Sequence, residues 1–262
     1  MRRLISLILL AVLLLLVGCD VADSPVRLPS NGPSGGYVPD LPPRLTDEAS
    51  KIAVFENGAP DGFFARNDRG NGEPFNCSFA SANAVVADGL LTLSLTKTGS
   101  GYAGAEYRTR AKYSFGFYSV SMKATKCSGV ISSFFIYTGW PWDEIDIEFL
   151  GDDTTKVQFN YFTNGVGGHE YVYELGFDAS EDFHEYAFDW QEDYITWYVD
   201  GKAVYTATKD IPSHAGNIMM NLWNVRDSHA YWAGKFDPTA LPVVAQYKWI
   251  GYQGVTSGTL DK

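Results

Sequence analysis

The chain has 262 residues, of which 45% are hydrophobic, and its formal net charge is −11. That length is enough for one domain with a substantial core. The acidic balance argues against binding nucleic acid or anionic lipid through charge, and it disfavours an acidic polysaccharide as a partner.

The first residues read as an export signal. Two arginines precede an apolar run from Leu4 to Val17, which is short for a membrane-spanning helix, so we predict a signal peptide over residues 1–18. The run ends at a stretch that resembles a bacterial lipobox and implies lipidation of Cys19. The alternative is an ordinary signal peptide that happens to contain a cysteine. We therefore expect an exported bacterial lipoprotein, on the cell surface or a periplasm-facing membrane, or a secreted protein.

A linker follows over residues 19–50. Residues 20–50 contain six of the twelve prolines, together with several glycines and serines. This composition is typical of a semi-extended segment without a core, which would space the folded domain from the membrane.

From Lys51 onward the pattern is that of short β-strands. Three leucines at alternate positions, 91, 93 and 95, are separated by polar residues, and the pairs at 88–89 and 200–201 are Asp-Gly hairpin signals. No long segment keeps helical periodicity. We predict an all-β sandwich or jelly roll over residues 51–252, followed by a C-terminal tail over residues 253–262.

Acidic and apolar residues alternate between Trp142 and Gly151. Successive side chains of a β-strand point to opposite faces, so three carboxylates would share one face and three apolar side chains the other. Crowded like charges raise the pKa of at least one carboxyl group, and glycosidic bond hydrolysis needs a neutral acid beside an ionised carboxylate. The alternative is a solvated strand, whose exposed face would usually be mixed in chemistry. The acidic residues are Glu144, Asp146 and Glu148, and the apolar ones are Ile145, Ile147 and Phe149.

The sequence Glu-Ile-Asp-Ile-Glu-Phe-Leu-Gly at 144–151 resembles the catalytic strand of glycoside hydrolase family 16. The similarity covers about residues 52–252, and several segments within it are similar to bacterial lichenases, the endo-β-1,3-1,4-glucanases. The resemblance implies a concanavalin-like β-jelly-roll of two curved antiparallel sheets with a substrate cleft on the concave face. Laminarinase members usually carry an extra residue before the last Glu, which makes a bulge. This chain lacks it, which favours a lichenase.

The resemblance also implies roles for individual residues. Glu144 would be the nucleophile, Glu148 the general acid/base, and Asp146 would tune the charge between them. A Tyr is common where this chain has Phe162, so a hydroxyl donor is lost there. The residues that fall where similar enzymes contact sugar are Asn71, Glu106, Arg108, Phe135, Tyr137, Trp142, Asn160, Phe162, Asn221, Trp223 and Trp232.

Some of these positions have simpler explanations. Glu106 and Arg108 are two residues apart and could form a surface ion pair, and Trp142 or Trp223 could belong to the core. The loop before Trp142 is shorter than in similar enzymes, so the edge of the cleft should differ, and Trp140 could replace the contacts that are lost.

The cysteine count suggests a disulfide. If Cys19 is lipidated, Cys77 and Cys127 remain as an even pair in an exported protein, and we hypothesise a bridge between them. Many lichenases instead pair the position of Cys77 with one that is Gly104 here. Two unpaired buried cysteines are the alternative.

Little in the sequence suggests a metal or a cofactor. The four histidines are dispersed without metal-ligand spacing, and we expect no cofactor. Lys248 stands where many lichenases place an aspartate that helps to bind calcium, which argues against that structural site here.

We therefore expect a monomeric, retaining endo-β-1,3-1,4-glucanase whose partner is mixed-linkage β-glucan, with no nucleic-acid partner and no membrane contact beyond the lipid. One alternative is a related family activity on β-1,3-glucan or xyloglucan, as a hydrolase or a transglycosylase. A second is a non-catalytic β-glucan-binding module on the same fold, although such modules lose the acid pair.

Overall fold

The computed structural model describes residues 37–68 and 70–255, and these fold almost entirely into β-strands, as predicted. One four-residue helix, α1 (Ala230–Ala233), and several turns of 3₁₀ helix complete the described part. The strands are β1 (Lys51–Val54), β2 (Phe63–Ala65), β3 (Ser78–Phe79), β4 (Ala84–Ala87), β5 (Leu90–Thr98), β6 (Gly101–Thr109), β7 (Gly116–Lys123), β8 (Val130–Tyr137), β9 (Glu144–Leu150), β10 (Lys156–Phe162), β11 (Tyr171–Glu174), β12 (His184–Trp190), β13 (Ile195–Val199), β14 (Lys202–Ala207), β15 (Asn217–Asn224) and β16 (Val243–Gly254).

The strands form two antiparallel layers that β5 joins. One layer has the order β11-β10-β9-β8-β15-β6, and the other has the order β16-β7-β12-β13-β14. β5 pairs with β16 through Leu91–Leu95 and then with β6 through Thr96–Thr98, so this single strand passes from one layer to the other. The arrangement confirms the predicted jelly-roll sandwich. β9 lies inside the first layer, paired on both sides.

The core lies between the two layers. Leu91, Leu93 and Leu95 are fully buried, in agreement with their alternation in the sequence. Two aromatic side chains of the second layer also cross the core to the backbone of the first: the indole of Trp197 donates to the carbonyl of Asp146 at 3.1 Å, and the hydroxyl of Tyr247 donates to the carbonyl of Ser133 at 3.0 Å. Because a buried polar group needs a partner, these bonds fix how the layers pack.

Both predicted hairpin turns are present. Asp88 and Gly89 join β4 to β5 with φ angles of 52° and 79°, and Asp200 and Gly201 join β13 to β14 with φ angles of 46° and 77°. Positive φ at two consecutive central residues is the requirement of a type I′ turn, which explains the Asp-Gly pairs.

The end of the predicted linker packs against the second layer. The backbone N–H of Arg44 donates to the carbonyl of Gly201 at 2.8 Å, and its guanidinium pairs with Asp189 at 2.9 Å. The same guanidinium lies 3.8 Å from the centroid of the Phe117 ring. The packed chain therefore begins before residue 51, because Arg44 supplies contacts that the proline-rich composition does not reveal.

This segment covers a small apolar cluster on the outer face of the second layer, away from the main core. The cluster is buried although it lies on the outside of the sheet, and the guanidinium of Arg44 lies over its Phe117 ring. Its members are Phe117, Ala187, Tyr198 and Ala203. At the other end of the chain β16 continues to Gly254, two residues beyond the predicted domain boundary.

The predicted disulfide between Cys77 and Cys127 is wrong, because both are buried free thiols. The sulfur of Cys77 would lie 2.9 Å from a Cβ built on Gly104, whereas the thiol of Cys127 faces the carbonyl of Asp237 at 3.7 Å. The two cysteines thus have different neighbours, and counting cysteines could not reveal this. Burial raises the pKa of Cys77 to about 11, which makes its thiol a weak nucleophile.

The predicted signal peptide over residues 1–18 and the lipidation site Cys19 lie outside the described residues, as do the first part of the linker and most of the tail. Within the described residues, no helix has both the length and the apolar character needed to cross a membrane.

We expect Arg44→Ala to lower the free energy of unfolding by about 1–2 kcal/mol, because it removes a charge-assisted hydrogen bond to a buried carboxylate together with a cation–π contact. Urea unfolding followed by circular dichroism measures the change.

The matched control is Glu48→Ala in the same segment, whose side chain is 85% exposed and whose ion pair with Lys51 should contribute little. An Arg44→Ala midpoint equal to that of the control would contradict the packing of this segment.

Candidate active site

The three predicted acids lie together on β9. Glu144, Asp146 and Glu148 face a cleft of about 510 Å³, while Ile145 and Ile147 on the other face of the strand are fully buried in the core. The alternation in the sequence is thus the alternation of the strand. β9 keeps continuous register with both β8 and β10, so no bulge interrupts the row of acids.

Four neighbouring strands, β6, β15, β8 and β9, form the base of the cleft, and the segment from Asn71 to Phe75 forms a wall. Eight of the predicted sugar-contacting residues line it: Asn71, Glu106, Arg108, Phe135, Tyr137, Trp142, Asn221 and Trp223. The aromatic and polar mixture suits a ligand with flat apolar faces and many hydroxyl groups.

Glu144 accepts hydrogen bonds from two sides. The indole N–H of Trp142 donates to Oε2 of Glu144 at 2.6 Å, and Asp146 donates from its carboxyl group. Burial raises the pKa of Glu144 to about 7, and these two donors oppose the rise. Asp146 has only 4% of its surface exposed, and its pKa is raised well above the usual range by burial and by the charges of both glutamates. The raised pKa favours the protonated form of Asp146, and in that form its carboxyl group donates to Glu144 and supports the ionised state of Glu144.

Glu148 has a different environment. Burial, followed by the charge of Glu144, raises its pKa to about 8. The side chain of Gln158 on β10, directly across from it in register, donates to Oε2 of Glu148 at 3.0 Å. The pKa of Glu148 thus lies above that of Glu144, so Glu144 ionises first as the pH rises and the row then holds a carboxylate at one end and an acid at the other.

Glu106 is not part of a surface ion pair. Its side chain is fully buried between Arg66 and Arg108, each 3.3 Å away, and Arg108 also donates to Asn217 at 3.1 Å. Burial raises the pKa of Glu106 and the two arginines oppose the rise. The carboxylate thus holds both arginines at the cleft while neutralising part of their charge.

Three predicted sugar-contacting residues do not line the cleft. Asn160 is buried opposite Asp146 in register on β10. Phe162 stacks behind Trp142, with ring centroids 4.6 Å apart, so it supports that indole. Trp232 donates from its indole N–H to Oε1 of Gln158 at 3.1 Å.

Asp143, which carries no predicted role, organises the edge of the cleft. Its fully buried carboxylate accepts bonds from the backbone of Asn164 at 2.8 Å and Ser213 at 2.9 Å, and from the ring of His214 at 2.8 Å. Burial would raise its pKa, but these bonds outweigh burial and lower it. One signal in the sequence was available. Asp143 has the same parity as Ile145 and Ile147, so the alternation predicts that its carboxylate faces the core.

The short loop between β8 and β9 is fastened at both ends. The backbone N–H of Thr138 donates to the carbonyl of Asp143 at 3.1 Å, and the N–H of Asp143 returns a bond to the hydroxyl of Thr138 at 2.9 Å. Trp140 stands at the tip of this loop with 91% of its surface exposed. A well-held loop thus presents an indole next to Trp142.

Sequence reasoning also missed several residues that line the cleft or act on its acids. Their types are ordinary for strands and loops, so only the three-dimensional register brings them to the site. They are Arg66, Glu73, Phe75, Ser133 and Met219 in the cleft, and Gln158 beside it.

The calcium site of similar enzymes does not fit this chain. The ammonium of Lys248 lies 4.3 Å from the centroid of the Phe183 ring, and Lys123 lies 5.5 Å from the same ring. Two positive charges at this place would repel a divalent cation.

Comparisons with known proteins agree on one family. The family model for glycosyl hydrolases family 16 matches residues 71–242. A beta-glucanase of Paenibacillus polymyxa is 54% identical over 188 residues, which are 70% of this chain and 78% of that protein. A xylanase/beta-glucanase of Ruminococcus flavefaciens is 47% identical over 83% of this chain, but the match spans only 28% of that longer protein. A solved prokaryotic beta-1,3-1,4-glucanase (lichenase) from a mouse hindgut metagenome is 50% identical, with a TM-score of 0.74, and covers 78% of this chain and 98% of its own.

We expect Glu148→Gln to raise the melting temperature at alkaline pH by several degrees, because about 1 kcal/mol corresponds to about 2–4 °C for a domain of this size. The pKa of Glu148 rises from 4.5 in the unfolded chain to about 8 in the folded one. Ionising it costs folded-state stability, and this cost grows as the pH rises from about 4.5 to about 8. Gln removes the cost, so the difference from wild type should be small at pH 4 and largest above pH 8.

The control for that series is Glu174→Gln, whose side chain is 74% exposed. If the difference in melting temperature between Glu148→Gln and the wild type does not change with pH, the raised pKa of Glu148 is contradicted.

We expect the melting temperature to be the same in EDTA and in millimolar calcium, because a ligand stabilises a protein only if the folded state binds it. Sodium chloride of equal ionic strength is the control. A rise in melting temperature specific to calcium would show that a site exists despite Lys248.

Proposed function

Because the chain belongs to glycosyl hydrolases family 16, we propose that it is a retaining endo-β-1,3-1,4-glucanase that hydrolyses mixed-linkage β-glucan. The observation that carries this proposal is the row of Glu144, Asp146 and Glu148 in one open cleft, each with a raised pKa. A module that only binds a neutral polymer gains nothing from crowding three acids into one cleft, because crowding and partial burial raise their pKa values and cost stability. This favours an enzyme over a binding module.

In the first step Glu148 donates its proton to the glycosidic oxygen of the departing sugar. An oxygen of ionised Glu144 bonds to the anomeric carbon as the glycosidic bond breaks, which gives a covalent glycosyl-enzyme and a sugar with a free hydroxyl. Trp142 and Asp146 hold the attacking carboxylate in place through their hydrogen bonds. Asp146 does so in its protonated form, which its raised pKa favours and which adds no negative charge.

In the second step water takes the place of the departed sugar. Glu148, now ionised, removes a proton from that water, and the water oxygen bonds to the anomeric carbon while the bond to Glu144 breaks. Two inversions at one carbon restore the original configuration, and Glu148 regains its proton.

The cleft favours a neutral polymer as the substrate. Aromatic and polar side chains line it together, and the buried Glu106 offsets much of the charge of Arg66 and Arg108. Mixed-linkage glucan is favoured over β-1,3-glucan by the uninterrupted register of β9 and by the 50% identity to a protein described as a beta-1,3-1,4-glucanase. A related activity on laminarin or xyloglucan, by hydrolysis or transglycosylation, is the alternative.

The N-terminal sequence supports a proposal about where the protein is located. The apolar run before Cys19 and the proline-rich stretch after it favour an exported bacterial lipoprotein whose catalytic domain acts as a monomer at the end of a linker. Mass spectrometry of the mature protein tests this, because an acylated N-terminal Cys19 is expected and a chain cleaved elsewhere would exclude it.

The test of the function uses barley mixed-linkage glucan, laminarin and xyloglucan with the wild type and variants. We expect the wild type to release oligosaccharides from the mixed-linkage glucan, with retained anomeric configuration by NMR. Glu144→Gln should abolish turnover yet still bind oligosaccharide, and Glu148→Gln should lower kcat by about 10²–10⁴-fold.

The matched control is Glu174→Gln, which removes an exposed carboxylate outside the cleft and should keep wild-type activity. Normal hydrolysis by Glu144→Gln would reject the nucleophile, and cleavage of laminarin alone would reject the substrate.

A further inference from the structure

Three side chains form a line that ends on the acid/base candidate. The indole N–H of Trp232 lies 3.1 Å from Oε1 of Gln158, and Nε2 of Gln158 lies 3.0 Å from Oε2 of Glu148. Gln158 has only 2% of its surface exposed, so its amide has no water to turn toward. It is directly opposite Glu148 in the β9–β10 register.

The chemistry of the indole decides how the amide is oriented. An indole N–H can only donate, so it must face the amide oxygen, and the amide NH₂ must then face the carboxyl group. An amide NH₂ in turn can only donate, so Oε2 of Glu148 always accepts. When Glu148 holds a proton, that proton therefore sits on Oε1, the oxygen that Gln158 does not bind.

We propose that Gln158 is a positioning residue that keeps the transferable proton of Glu148 on Oε1, and that Trp232 sets the direction of its amide. This inference rests on the proposed acid/base role of Glu148. In both steps the proton leaves from or arrives at Oε1, while Oε2 stays bonded to the amide. The bond strengthens when Glu148 is ionised, because a charged acceptor makes a stronger hydrogen bond.

The charges around Glu148 make this donor important. Glu144 and Asp146 lie on the same strand, Glu170 acts on it from the segment before β11, and Ser133 on β8 opposite it is uncharged. Within the described residues Gln158 is the one side chain that donates to Glu148. Without it, the ionised form would face acidic neighbours alone, and its pKa would rise further.

The alternative is that the Gln158–Glu148 pair only stabilises the sheet. A structural pair would affect the melting temperature, but it would not change the pH profile or separate the two chemical steps. The test therefore measures the melting temperature together with the pH profile and the rates of the two chemical steps.

The variants are Gln158→Leu, which keeps the size but loses the donor, and Trp232→Phe, which keeps an aromatic ring but loses the N–H. Removing a donor to the carboxylate raises the pKa of Glu148, so the alkaline limb of the kcat/KM profile should move to higher pH in both. On a dinitrophenyl glycoside of a short glucan oligosaccharide, glycosylation needs no acid, whereas deglycosylation still needs the base. We expect kcat to fall about tenfold on that substrate.

Added azide distinguishes a variant that has lost the positioning of Glu148 from a variant that is misfolded. It attacks the glycosyl-enzyme without needing a base, so it should restore kcat in Gln158→Leu and Trp232→Phe and give a glycosyl azide with retained configuration. The matched control is Trp249→Phe on β16, an indole on the other layer whose ring contacts the Lys51 ammonium, and it should keep the wild-type profile.

Two outcomes overturn the proposal: a wild-type alkaline limb in Gln158→Leu, or a loss of kcat that azide does not restore in a variant with a wild-type melting temperature. A wild-type profile in Trp232→Phe would overturn the role of Trp232. The variant Glu148→Ala, measured in parallel, tests the acid/base role of Glu148 separately from the positioning role of Gln158. If azide fails to rescue that variant, Glu148 is not the acid/base, and the failure lies there rather than with Gln158.

Discussion

The crowding of three carboxyl groups on one strand is the constraint on which the rest of the structure depends. Water is partly excluded from the cleft, so each ionisation is opposed by burial and by the neighbouring charges. Among the residues that the structure describes, the protein sets no lysine or arginine in an ion pair with these three acids, and the cleft arginines pair with Glu106 instead. It places one neutral donor at each end, Trp142 at Glu144 and Gln158 at Glu148, and leaves a proton on Asp146 between them. The acids are thus held with different proton occupancies, which the proposed chemistry requires.

A strand under such repulsion must be held from every other direction. Both edges of β9 are paired in continuous register, and its apolar side chains are fully buried. From the far layer Trp197 bonds the carbonyl of Asp146, and just before the strand Asp143 collects donors from two separate loops. Such support is how a fold tolerates a functional site that lowers its own stability.

The sequence could predict features that depend on local periodicity. Alternation placed the row of acids on one face, and the Asp-Gly pairs placed two hairpins, because strand pleat and turn geometry act over a few residues. The resemblance to a known family supplied the two layers and most of the cleft lining. The burial of Glu106 between two arginines was beyond reach, because one of them, Arg66, comes from a distant part of the chain.

The misses have the same physical origin. Gln158 acts on Glu148 only because β10 pairs with β9 in one register, and a shift of one residue would turn its amide to the other face. The number of cysteines does not tell where their thiols lie in the fold. The composition of the proline-rich stretch does not show that Arg44 packs against the second layer. In each case the decisive fact is a contact between residues far apart in the sequence.

The fastened loop between β8 and β9 has an optical consequence. Of the seven tryptophans, Trp190, Trp197 and Trp223 are buried, whereas the indole of Trp140 is almost fully in water at the lip of the cleft. Its emission should be red-shifted and open to quenching by iodide, while the buried indoles remain shielded. The protein thus carries a built-in fluorescent reporter at the cleft edge, and a polysaccharide that settles against that edge should dim or shift its light without any added label.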